Sequence, residues 1–148
     1  MRIASYKGTR GGLAGLFNIG VRWWRSSAYS HTELVFSDGM CGSVSWMDNG
    51  VRLKAIELDP DRWDIVDIGE PVPERDARLW FILNRGRRYN LLLLLAFVLP
   101  FLARWAARLG HVCSTGIGEA LQLPEAWRLD PALLHNLAVS ARQRRPGA

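Results

Sequence analysis

Cysteine is scarce in this chain: Cys41 and Cys113 are the only two among 148 residues. That excludes a disulfide scaffold, which sets more cysteines in a shorter chain. A single bridge between the two is the one pairing the sequence permits, and two separate roles are the preferred reading. The three histidines, His31, His111 and His135, do not combine with them in the spacing of a structural zinc site. Lysine stands only at Lys7 and Lys54, so nearly all positive charge is arginine. No apolar run reaches the roughly 20 residues needed to cross a bilayer. The longest, Leu91 to Ala103, is interrupted by Pro100 and closed by Arg104 and Arg108. It reads as a buried core helix, with an interfacial, membrane-touching segment as the alternative. The opening MRIASYKGTRGG has no apolar signal core, so Sec export is not indicated.

What is present fits one domain with one core. Hydrophobic residues make up 49% and charged residues 22%, the balance of a packed globule rather than a disordered chain. Seven tryptophans need partners for their indole N–H groups, which places some at the core edge or in a cleft. The net charge of +5 is spread along the sequence without a basic stripe or a nucleic-acid motif, so no specific nucleic-acid partner is expected.

Periodicity points to an α+β domain, a small antiparallel sheet packed against helices. Strands are predicted at Arg2 to Lys7, His31 to Phe36, Cys41 to Trp46, Val51 to Leu58 and Trp63 to Ile68. Ser37-Asp38-Gly39 and Met47-Asp48-Asn49-Gly50 supply hairpin turns. Helices are predicted over Leu13 to Trp24, Glu74 to Arg85, Leu91 to Ala103, Gly116 to Leu121 and Ala132 to Ala141, the last capped by Asp130-Pro131. The domain is expected to span residues 1–141, and the basic end, Arg142 to Ala148, to be a disordered tail.

A cysteine nucleophile works as a thiolate, which a helix N-terminus stabilises. Cys113 follows a glycine-containing loop and opens a short helix with Ser114, Thr115 and Gly116. A thiolate also wants a base held on a rigid element. His31 begins the clearest strand in the chain, and Glu33, two residues on, leaves the same face and can orient the ring. Ser43, Ser45 and Asp48 are rival orienters, and His111 and His135 are rival bases.

Several short stretches resemble one family in their order. Ser30-His31-Thr32-Glu33-Leu34-Val35-Phe36 is similar to the S-H-x-E-L-V strand of circularly permuted NlpC/P60-like (papain-type) cysteine hydrolases, in the YiiX/YaeF group and its phage-encoded relatives. Tyr89-Asn90 before a Leu-rich helix resembles the Y-[DN] motif that precedes the nucleophile there. Val112-Cys113-Ser114 with Gly118-Glu119-Ala120-Leu121 resembles the C-S-E-x-x-x-x-A-L helix start, with Thr115 where relatives often carry Glu. The likeness spans residues 2 to about 137, and His precedes Cys, the reverse of the papain order.

The resemblance implies a sheet carrying His31 against a helix carrying Cys113, and Tyr89 near the nucleophile as an oxyanion donor. It implies a cysteine hydrolase that needs no metal or cofactor and cleaves an amide, a peptide bond of peptidoglycan first, through a thioester. The alternatives are a lipid acyl hydrolase or acyltransferase, or a non-catalytic phage virion or assembly component that keeps the fold. Expected partners are thus a peptide or acyl substrate, virion proteins, or a weak membrane contact. The host cytoplasm or a phage virion is the expected location.

Overall fold

The computed structural model describes residues 1–8, 28–96 and 105–144. Five strands form one sheet: β1 (Arg2–Tyr6), β2 (His31–Val35), β3 (Met40–Ser45), β4 (Gly50–Ala55) and β5 (Trp63–Asp67). Among the described residues four named α-helices follow: α1 (Glu74–Leu83), α2 (Leu91–Ala96), α3 (Cys113–Ala120) and α4 (Pro131–Gln143). The class is α+β, as the periodicity predicts. Every strand pairing is antiparallel, in the order β4-β3-β2-β1-β5. The first strand therefore lies between β2 and β5, so β2 is flanked on both edges.

Alternation sorts the sheet into two faces. Ile3, Leu34, Phe36, Val44, Val51 and Val66 turn one way and join Ala77 and Phe81 of α1, Ile117 and Ala120 of α3, and Leu134 and Ala138 of α4 in the main core. Each fully buried Leu, Ile or Phe there contributes about 1.5–3 kcal/mol. Phe36 and Phe81 meet edge to face at 6.2 Å. The opposite face carries a smaller cluster, Ala4, Tyr6, Val35, Cys41 and Trp63.

Local signals account for the boundaries. Asn49 and Gly50 both have positive φ, 58° and 137°, which the Asn-Gly pair tolerates in the β3–β4 hairpin. Asp130 accepts a hydrogen bond from the Leu133 N–H at 2.9 Å, and Pro131 occupies the first turn of α4. Some elements differ from expectation. β4 ends at Ala55 rather than Leu58, and α1 at Leu83 rather than Arg85. The helix with periodicity from Gly116 begins at Cys113, as the reading of Cys113 at a helix start expects; the Thr115 hydroxyl accepts from the Val112 N–H at 2.9 Å and caps it. α4 continues through Gln143, so Arg142 is helical rather than part of a disordered tail; residues 145–148 lie outside the described residues. So do the expected helix over Leu13 to Trp24 and the portion of the apolar segment from Phe97 to Ala103, Pro100 included. Among the described residues, no helix is long and apolar enough to cross a membrane.

α3 lies directly against β2 and β3. Its Gly116 permits this approach: a Cβ there would sit 2.5 Å from Val44 Cγ2 and 3.2 Å from the Trp80 ring. Val44 is fully buried in the middle of the sheet and has no room to yield. Gly116→Ala is expected to destabilise the fold by about 1–3 kcal/mol through overpacking, despite alanine's better helix propensity. A urea titration measures this, and an unchanged midpoint refutes it.

Candidate active site

The N-terminus of α3 and the first residue of β2 meet at one end of the sheet. His31 pairs with Tyr6 of β1, which pairs in turn with Trp63 of β5. The Trp63 indole stands edge-on to the His31 ring at 6.3 Å. His31 Nε2 lies 2.8 Å from Glu33 Oε1. The Cys113 thiol lies close enough to the imidazole for the two groups to be electrostatically coupled. Thiol, imidazole and carboxylate, the groups that the sequence singles out as Cys113, His31 and Glu33, thus lie together at this end of the sheet.

Electrostatics favours the ionised pair. Burial opposes the His31 imidazolium, but the Cys113 thiolate and then Glu33 outweigh it and raise His31 from 6.5 to about 9. Burial likewise opposes the Cys113 thiolate, yet His31 and the N–H and hydroxyl of Thr32 hold its pKa below the ordinary 9.0. The Thr32 hydroxyl is buried and meets no partner in hydrogen-bond geometry, so its donor is free to turn to the sulfur. Cys41 has no such company. Burial, then the charge of Glu33, push its thiol up to about 11. Both cysteines are free, so the bridge that the sequence permits is not formed.

Tyr89 stands beside the same sulfur. Burial, then the nearby Cys113 charge, hold its phenol well above the ordinary 10.0, so it remains a proton donor over the working range. It does not open α2; it lies in an extended segment bridged to His111. Asn90 fastens that segment: its N–H donates to the His111 carbonyl at 2.9 Å and its side-chain amide to the Ala106 carbonyl at 2.7 Å.

The rival residues have other partners. Ser43 donates to the Thr32 carbonyl at 2.7 Å. Ser45 accepts from the Asp48 N–H, and Asp48 pairs with Arg52 and Lys54. His111 Nε2 faces Glu119 at 2.9 Å, while its Nδ1 is enclosed without a partner, so neither nitrogen serves the thiol. His135 sits between Tyr29 and Ser5. Ser114 donates to the Leu129 carbonyl at 2.6 Å and anchors the start of α3.

Arg52 joins this cluster, and sequence reasoning missed it. Glu33 is 1% exposed in a strand flanked on both edges, and a buried carboxylate requires a counter-charge. The Arg52 guanidinium provides it with a two-pronged contact: Nη1 reaches Glu33 Oε2 at 2.7 Å and Nη2 reaches Oε1. Arg52 Nε is held in turn by Asp48 at 3.0 Å. Burial opposes the Glu33 charge, but His31 and then Arg52 lower its pKa overall. Val51 and Leu53 turn toward the main core, so alternation puts Arg52 on the opposite face, and nothing in the sequence links it to Glu33.

A cleft of about 520 Å³ opens at this end of the sheet, lined by His31, Tyr6, Trp63 and a ring of mixed charges that includes Arg52, Lys54 and Asp48. Cys113, 3% exposed, does not line it, so His31 is the member of the cluster that faces this space. Among the described residues, no three His, Cys, Asp or Glu side chains converge as a metal site requires. No family model matches this chain, and neither does any curated protein or solved structure.

Proposed function

We propose that the protein is a cysteine hydrolase that cleaves an amide through a thioester, with Cys113 as nucleophile, His31 as acid and base, and Glu33 as the group that orients the imidazole. The supporting observation is the Cys113–His31–Glu33 cluster, in which a thiol at a helix N-terminus lies beside an imidazole fixed on a strand. The same arrangement, with His ahead of Cys in the chain, supports placing the protein among the permuted NlpC/P60-like hydrolases.

The Cys113 thiolate attacks the substrate carbonyl carbon. Negative charge gathers on the carbonyl oxygen, where the free backbone N–H groups at the start of α3 and the Tyr89 hydroxyl are the available donors. The tetrahedral species collapses as the C–N bond breaks and the His31 imidazolium gives its proton to the departing amine. Water then attacks the thioester, neutral His31 takes its proton, and the thiolate leaves. The acid is released and the starting charges return. Mixed charges around the cleft at His31 suit a peptide better than a bare acyl chain, and a peptidoglycan stem peptide is the first substrate to try.

Incubation with peptide amides and activated acyl esters, followed by acid quench and mass spectrometry, tests the reading. An acyl adduct is expected on Cys113, lost in Cys113→Ala. Turnover that survives Cys113→Ala overturns it.

A further inference from the structure

A second cleft, of about 440 Å³, shares no residue with the one at His31. Arg87, Arg88, Arg108, Leu109, Gly110, His111 and Glu119 line it. We propose that this cleft binds a phosphate-class oxyanion, independently of any chemistry at Cys113.

Charge is the first argument. Most arginines near an acid in this protein pair with one, as Arg52, Arg78 and Arg128 do. Arg88 and Arg108 have no ion-pair partner among the described residues, and Arg87 has only a longer-range attraction to Glu119, although all three line one concavity. The single carboxylate there, Glu119, is engaged by His111 at 2.9 Å. Three guanidiniums against one carboxylate leave two positive charges in excess, which matches a phosphate group near neutral pH. Guanidinium forks suit tetrahedral oxyanions because each can donate two parallel hydrogen bonds.

Preorganisation is the second argument. The arginines come from two segments, 87–88 and 108–110, that the backbone fixes side by side. The Asn90 amide reaches both the Ala106 and the Gly110 carbonyls. The Val51 N–H donates to the Arg87 carbonyl at 2.9 Å and ties that segment to β4. Gly110, at φ 145°, lets the segments close: a Cβ there would lie 3.3 Å from the Arg88 carbonyl oxygen. The cleft wall also holds His111, whose side chain is 9% exposed: its Nε2 meets Glu119, while its Nδ1 is buried without a hydrogen-bond partner. Like charges are thus held together by a rigid backbone, an arrangement that repels itself until an anion enters.

Leu109, more than half exposed, borders the same cleft. A phosphate could therefore arrive free in solution or as a lipid headgroup, and the test separates the two. Calorimetric titration with inorganic phosphate at low salt, and co-sedimentation with phosphatidylcholine vesicles with and without phosphatidylglycerol, are run on wild type, Arg88→Gln/Arg108→Gln, Arg75→Gln and Cys113→Ala. Saturable binding in either arm is expected, weakened about tenfold or more in the double variant, the size expected for lost charged hydrogen bonds. Arg75→Gln, at an exposed position outside the cleft, and Cys113→Ala should bind as wild type does. Binding only to free phosphate identifies a soluble ligand, and binding only to anionic vesicles identifies a headgroup; both support the site. Absence of binding in both arms overturns it, as does binding indifferent to the double variant. Because the substituted arginines are exposed, an unchanged thermal melt confirms that the variants are folded.

Discussion

At neutral pH the wild-type protein should show one thiolate in its ultraviolet absorbance, and Cys113→Ser should remove it while Cys41→Ser leaves it. The reason lies in the surroundings of the two sulfurs. Cys41 is buried in the second cluster and pushed to about 11, so it stays a thiol. Cys113 faces an imidazolium that persists up to about 9. His31→Ala removes that charge and leaves only Thr32 to oppose burial, so the thiolate population at neutral pH should fall.

The sign of the pH dependence follows. His31 is raised, so its charged form is present below 6.5 and is lost as pH rises through about 9. Cys113 is lowered, so its thiolate appears below the ordinary 9.0. Between these limits the folded pair holds one proton, as the unfolded pair does, so the pair itself adds little slope to stability there. Turnover should instead trace a bell with its alkaline limb near 9, where the imidazolium needed by the leaving group disappears. A rate that keeps climbing beyond that limb would sink the assignment of His31 as acid.

Arg52→Met should cost about 3–5 kcal/mol of stability, because it leaves the Glu33 carboxylate buried without its guanidinium. Joining it to Glu33→Gln should recover a good part of that loss, since both charges then go together. Urea titrations of the two single variants and the double variant measure the coupling. Additive losses would show that the pair does not act as a unit. A second effect distinguishes positioning from mere stability. Glu33→Gln removes one of the charges that raise His31, so the alkaline limb should move to lower pH. Arg52→Met leaves Glu33 uncompensated against the imidazole and should move it upward. Acid behaviour tests the same carboxylate. Glu33 has a folded pKa below 4.5, so its contribution is complete above that value and is lost as pH falls through the lowered one. The Glu33→Gln variant should lack this part of the acid limb.

Much of the fold could be read locally. β2 and β3 were legible because β-branched and apolar residues alternate between recognisable turns, and Asn49-Gly50 marked the second hairpin. Asp130-Pro131 marked the start of α4. Cap chemistry was less visible. Thr115 read as a departure from a motif, whereas its hydroxyl caps the helix that Cys113 opens.

The sequence by itself determined which side chains share a strand face, where the chain turns, and that a histidine and an acid two residues apart face the same way. Those properties depend on neighbours within a few residues. Tertiary structure alone decided that β1 pairs between β2 and β5, that α3 brings Cys113 to His31 rather than to His111 or His135, and that one arginine among many crosses β3 to Glu33. A buried carboxylate announces that it needs a cation, but only the packed sheet, with a serine opposite Arg52 on the intervening strand, determines which cation reaches it.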